Sequence, residues 1–267
     1  MIATAADGTR LHYIVEGSGP PIVLVGGKTS NIEGAWWRYI PPLAARFRVI
    51  AFDNRGAGQS DKPDIPYTAP LMAEDALAVL RQAGETSAHW FGISLGGLIL
   101  QQLALDHPEA VRSLILGATH CGGERPAPPG ANVPELADNP LRRYANLYDP
   151  RFILEHPDWV REDASHFGKM PLHAIVRQDQ AVNGYHGCDR LARIQAPVLI
   201  LHGRQDRMVP LARGEELQRV LPNARLRVLD PAGHQFHSEQ FDTVLRLVID
   251  FVEEVEAKRP SSSRARD

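Results

Sequence analysis

Seven short stretches of the chain carry apolar residues in the patterns of strands. Residues 10–16, RLHYIVE, alternate between apolar and polar, as a half-buried strand does. Residues 21–25 (PIVLV), 48–52 (RVIAF), 88–92 (AHWFG), 111–117 (VRSLILG), 198–202 (VLILH) and 226–229 (LRVL) are short, and most are near-continuous apolar runs. Such runs suit parallel strands buried on both faces. Helical spacing fills the gaps between them. It runs from Trp36 to Phe47, Ala69 to Gln82, Ser94 to His107, Ala212 to Val220 and Phe241 to Glu254. Thr68 is placed to cap the second of these, with Pro70 in its first turn and Gly84 behind its end. Pro108 stops the third, whose apolar residues fall at 95, 98, 99 and 103. Repeated strand–helix units of this kind predict a parallel sheet covered by helices on both sides.

The rhythm fails between His120 and Arg193. No buried strand is found there, but helix-like stretches are, near 139–147, 158–167 and 171–183, after the Pro-rich piece ERPAPPGANVPE. A segment so long has structure of its own. The expected organisation is therefore a core of residues 1–119 and 194–257 with a helical cap, 120–193, on the sheet edge where open α/β sheets bind ligands. The polar tail 258–267, KRPSSSRARD, is expected to fray.

Composition narrows the function. The 267 residues hold 29 Lys and Arg against 32 Asp and Glu, a net charge of −3, which argues against a nucleic-acid surface. No apolar run approaches the roughly 20 residues that span a bilayer, so no membrane partner is expected. The N-terminus lacks a basic start followed by an apolar run, so no secretory leader is expected. Cys121 and Cys188 are accordingly read as reduced thiols of a cytosolic protein.

The sharpest local motif is Gly92-Ile93-Ser94-Leu95-Gly96, set between a strand and a helix. A serine pushed out at so sharp a turn needs glycine-sized neighbours, and this strand–turn–helix context is that of a nucleophile elbow. A serine hydroxyl attacks only when a base takes its proton and a third group orients the base. Two candidates lie just beyond later strands, in the order acid then histidine. Asp206 follows VLILH in the loop GRQDRMVP, and His234 follows LRVL in DPAGH. Each has a rival. Asp230 sits at a strand's very end, and His237 falls where the next helix begins. An oxyanion hole needs two backbone N–H groups. Leu95, at the helix start, supplies one, and Lys28, in the loop Gly26-Gly27-Lys28 after PIVLV, the other. Gly27, Trp36, Trp37, His120, Tyr144 and Trp159 are candidate pocket residues, with Phe152 and Phe167 beside them.

Two other motifs fail on spacing. Gly27-Lys28-Thr29 ends like a phosphate loop, but Ile22 stands where that loop needs its first glycine. Gly56-Ala57-Gly58 lacks the third glycine of a dinucleotide fingerprint, with Asp61 in its place. His234 and His237 have no further motif to complete a metal site. Neither cofactor nor metal is expected.

The strings VLVGGK, FDNRGAGQSD, GISLGG, LHGRQDRMVP and PAGHQFH, in this order, resemble the α/β-hydrolase fold superfamily over about residues 8–256. Within it, the GISLGG elbow and the FDNRGAGQSD loop are similar to those of small esterases, enol-lactonases and cofactor-free haloperoxidase-type members. The resemblance implies an eight-stranded, mostly parallel sheet with a cap after strand six. It also implies a cofactor-free serine hydrolase acting on a small or medium ester or lactone. A monomer or homodimer is expected. C–C bond hydrolysis of a β-diketone or ring-cleavage product is the alternative chemistry, and a non-catalytic small-molecule binder the alternative class. One departure is that Gly26 stands where many members carry the histidine of a His-Gly pair. The Asp53-Asn54-Arg55-Gly56 stretch is read as structural.

Overall fold

A computed structural model describes residues 1–123 and 133–259. Most of the Pro-rich piece and residues 260–267 of the expected tail lie outside these. Eight strands form one sheet: β1 (Ile2–Thr4), β2 (Arg10–Glu16), β3 (Pro21–Val25), β4 (Arg48–Phe52), β5 (Ala88–Ile93), β6 (Val111–Gly117), β7 (Val198–Gly203) and β8 (Ala224–Leu229). Their order is β1-β2-β4-β3-β5-β6-β7-β8. β2 is antiparallel to both β1 and β4, and the remaining neighbours are parallel.

Every residue of β3, β5 and β7 is buried, which explains why these strands read as near-continuous apolar runs, broken only by His89 and His202. Alternate residues serve opposite layers. Val23 and Val25 join one core with Met72, Leu98 and Leu217, from α3 (Ala69–Gln82), α4 (Leu95–Asp106) and α8 (Leu211–Val220). Ile22 and Leu24 join the other, with Ile32 from α1 (Ile32–Trp36), Ile40 from α2 (Ile40–Ala44) and Val248 from α10 (Phe241–Lys258). Fully burying one such aliphatic side chain contributes about 1.5–3 kcal/mol. Thr68 accepts a hydrogen bond from the N–H of Leu71 and so caps α3 at the expected residue.

Of the expected helix from Trp36 to Phe47 only α2 forms, starting at Ile40 with prolines in its first turn, while a separate helix, α1, ends at Trp36. At the other end of the chain, helix α10 runs to Lys258, which pairs with Glu254, while Arg259 pairs with Glu256. The start of the expected frayed tail is thus ordered by charge.

Between β6 and β7 the described residues contain no strand. They form 3₁₀ turns and three helices, α5 (Pro150–Glu155), α6 (Pro157–Ser165) and α7 (Leu172–Asn183). Leu136, Leu141, Tyr148, Ile153 and Val160 give this insert a small core of its own. Its base corrects one expectation: Cys121 and Cys188 are joined in a disulfide across a sequence separation of 67 residues. Their Cα atoms lie 4.8 Å apart, and Gly187 N–H donates to the Cys121 carbonyl. Entry and exit of the insert therefore meet, a proximity that spacing along the chain does not reveal. Among the described residues no helix is long and apolar enough to cross a membrane.

Candidate active site

The sequence order of the strands reverses beside β3, since β4 lies on one side of it and β5 on the other. The loops leaving β3 and β5 at such a switch point diverge and open a crevice. Ser94 stands there, one residue beyond β5, with φ +54°, ψ −115°. This is backbone that a side-chain-bearing residue rarely adopts. Its neighbours show why glycine flanks it. A Cβ on Gly96 would come within 2.2 Å of the Val25 carbonyl oxygen, and one on Gly92 within 2.7 Å of the Gly96 backbone. The elbow is fixed from below by Thr119 Oγ1, which donates to the Ser94 carbonyl at 2.8 Å.

A cavity of about 400 Å³ opens above Ser94. Gly27, Lys28, Ser94 and His234 line it, as does Phe167. His234 Nδ1 donates to Asp206 Oδ2 at 2.8 Å. That arrangement fixes the tautomer and leaves the Nε2 lone pair free to accept a proton. Asp206 lies beneath His234, with its side chain fully buried. Its Oδ1 accepts the N–H groups of Met208 and Val209 at 2.9 and 2.8 Å. Burial pushes its carboxyl up, but the charge of His234 and hydrogen bonds from His202 and His234 outweigh this and hold it well below the usual range. His202 in turn bonds the Val209 carbonyl through Nε2 at 2.8 Å, bracing the same turn.

The rivals are placed elsewhere. Asp230 is exposed and holds Arg204 and Gln205. His237 lies in the short helix α9 (Phe236–Glu239), among Trp36, Tyr39 and Phe236. It touches the cavity too, but its burial pushes its pKa down to about 3.

The loop after β3 lies against the nucleophile. A Cβ on Gly27 would sit 3.4 Å from Ser94 Cβ, and Asn54 Nδ2 donates to the Gly26 carbonyl at 2.9 Å. The Lys28 ammonium is held by Asp179 of α7 at 2.7 Å. Gln178, from the same helix, accepts the Thr29 N–H and donates to the Arg55 carbonyl. Leu95 is the first residue of α4, where helix N–H groups have no partner within the helix.

Six candidate pocket residues do not line this cavity. Trp36 is fully buried on the inward face of α1 against Phe91. Trp37, one helical step round, stacks on His166. His120 is buried beside β6 and accepts the Gly122 N–H. Tyr144 packs edge-on against Phe167. Trp159 donates to Ser238 and, with Phe152, borders a separate cleft of about 530 Å³. The walls that the sequence did not flag include Leu147, Ile175, Met208 and Gln235. Met208, two residues beyond Asp206, and Gln235, next to His234, carried a local signal from their flagged neighbours. Leu147 and Ile175 enter from the insert and are legible only once it is folded.

The chain belongs to the α/β hydrolase fold family, whose model matches residues 20–149 and 136–241. Among its relatives, one from Azorhizobium caulinodans whose name proposes carbamate hydrolysis is 31% identical, over 92% of this chain and 96% of its own. A 2-hydroxymuconate semialdehyde hydrolase of a Pseudomonas species is 30% identical, over 94% and 93%. Among solved structures, Est816, described as an N-acyl homoserine lactone degrading enzyme, superimposes with a TM-score of 0.82 at 29% identity, over 94% of this chain and all of its own.

Proposed function

We propose that the protein is a cofactor-free serine hydrolase that cleaves carboxylic esters or lactones through an acyl-enzyme. Ser94 is the nucleophile, His234 the base and Asp206 the group that orients and stabilises the imidazolium. The observation that carries this reading is the strained elbow of Ser94 opening on one cavity with His234, while Asp206 holds the far nitrogen of that ring. Ser94 Oγ attacks the carbonyl carbon and His234 Nε2 takes its proton. The N–H groups of Lys28 and Leu95 receive the developing oxyanion. His234 then passes the proton to the leaving alcohol, and water releases the acyl group by the same steps reversed. In a lactone the leaving alcohol stays tethered to the acyl group.

The insert acts as a cap over the site, supplying Leu147, Phe167 and Ile175 to an apolar wall that suits a medium-sized acyl or alkyl group. The lactone-degrading structural relative and the carbamate-hydrolase name both fit acyl transfer at this site. The 2-hydroxymuconate semialdehyde hydrolase relative favours one second reading, hydrolysis of a ring-cleavage product in the same cavity.

A fluorophosphonate reagent should label wild-type protein and not Ser94→Ala. Turnover is then compared on p-nitrophenyl esters of rising chain length, on lactones, on an activated carbamate and on a ring-cleavage dienoate. Absence of both labelling and turnover would leave the binding-protein class and overturn the hydrolase reading.

A further inference from the structure

The cleft of about 530 Å³ at the seam between insert and core has a carboxyl on its floor, Glu239, that faces two ways. On its inner side Glu239 Oε1 accepts the N–H of Gly233 at 2.8 Å, one residue before His234. Its Oε2 accepts the N–H of Asp149 in the insert at 2.9 Å. On the other side of His234, Gln235 N–H donates to the carbonyl of Leu147 at 2.8 Å. Both peptide neighbours of the histidine are therefore fastened to one short segment of the insert, Leu147 to Asp149. The two strands of chain touch: a Cβ on Gly233 would lie 2.8 Å from the Asp149 nitrogen and 2.9 Å from the Leu147 carbonyl oxygen. The segment is itself stiffened, because Asp149 Oδ1 accepts the Arg151 N–H and caps α5. Leu147 also walls the catalytic cavity, so whatever fills that cavity presses on the same segment.

We propose that Glu239 is a positioning residue for His234, clamping the histidine loop to the insert so that the base is aligned only when the insert is seated. The proposal rests on the serine-hydrolase reading for its kinetic arm and on geometry alone for its spectroscopic arm. A carboxyl group suits the task because each of its two oxygens accepts one N–H, one from each side of the seam. Burial pushes this carboxyl up to about 8 against the pull of those two donors, so the site retains a group that is costly to ionise there. An imidazole that swings by about 1 Å loses its line to Ser94, a displacement worth up to about 100-fold in rate.

The test compares Glu239→Ala and Glu239→Gln with wild type, with rates counted per fluorophosphonate-titrated site so that unfolded protein does not contribute. The clamp predicts that Glu239→Ala lowers kcat about 10- to 100-fold with KM changed less than about threefold. Glu239→Gln, which keeps one accepting oxygen, recovers part of that loss. A residue that only stabilises the fold would lower Tm and leave kcat per titrated site unchanged, which overturns the proposal. Ring-nitrogen NMR gives a second reading independent of turnover. In Glu239→Ala the His234 signals shift or broaden while those of His202 stay in place. Unmoved His234 signals overturn the clamp even if no ester is ever turned over, and loss of turnover in the wild type alone overturns only the hydrolase reading.

Discussion

Replacing Asp206 by Asn separates charge and tautomer from shape, and the structure fixes which way the new amide must face. Asp206 Oδ1 accepts two buried N–H groups, those of Met208 and Val209, whereas Oδ2 faces His234 Nδ1. An asparagine that turned its NH₂ toward the two backbone donors would leave both unsatisfied, at roughly 1–3 kcal/mol each. Its oxygen therefore stays with Met208 and Val209, and its NH₂ points at His234. Two donors cannot share one line, so the imidazole must present a lone pair at Nδ1 and carry its proton on Nε2. In that tautomer it cannot accept the Ser94 proton. A defect of this kind costs about 10⁴ in kcat, or about 5.5 kcal/mol of transition-state stabilisation. The fold should barely notice, because the turn keeps both of its N–H bonds. The assay is kcat on p-nitrophenyl butyrate alongside a thermal melt. An Asp206→Asn protein with a native melt and a rate within tenfold of wild type would refute the argument.

Gly96→Ala should destabilise the fold by about 1–3 kcal/mol and also slow turnover, since its Cβ would sit 2.2 Å from the Val25 carbonyl and 2.9 Å from that of Gly26; an unchanged Tm would show that β3 yields freely. Lys28→Ala should alter kcat/KM only a few-fold, because the ammonium is occupied by Asp179, whereas Lys28→Pro, which deletes the N–H, should cost about 2.7–4 kcal/mol. Near-wild-type rates in Lys28→Pro would move the oxyanion donor to Gly27. Burial depresses His237 to about 3 and His89 to about 4, from an ordinary 6.5, so both are neutral in the folded protein where the unfolded chain takes up protons. The stability this gives is complete above about pH 6.5 and is lost as pH falls toward 4 and then 3, on the order of a few kcal/mol. Urea melts at pH 7, 5.5 and 4.5 should show the loss, His89→Gln should flatten it, and a pH-independent midpoint would contradict the assignment.

What could be read in advance divides along physical lines. β3, β5 and β7 were legible because strands buried on both faces leave few polar positions to confuse the pattern, here only His89 and His202. Ser94 and Asp206 were legible as candidates because each stands just past a fully buried strand, and His234 because it follows the half-exposed β8 in a short loop. β1 was missed because three residues, buried only at Ala3, cannot display a period. Trp36 and Trp37 were candidates for the pocket but do not line it. Their actual directions depend on where α1 ends, which is at Trp36. Leu147 and Ile175 reach the cavity only through the packing of the insert, and the Cys121–Cys188 bond depends on the same long-range closure. Contacts between segments far apart in sequence leave no local trace.

That bond makes the polypeptide a loop on a stem. Every residue from 122 to 187 lies on a covalent circle, while Ser94 and His234 lie on the two arms outside it. A protease that severs the circle once, wherever it cuts, divides the backbone without dividing the molecule. The nicked protein should migrate as one species until a reductant is added, and then as two fragments. Leu147, Phe167 and Ile175 would stay covalently tethered to the catalytic arms throughout. Sites for inserting a tag, a fluorophore attachment or a new binding loop can therefore be sought along that circle with continuity already secured at its neck.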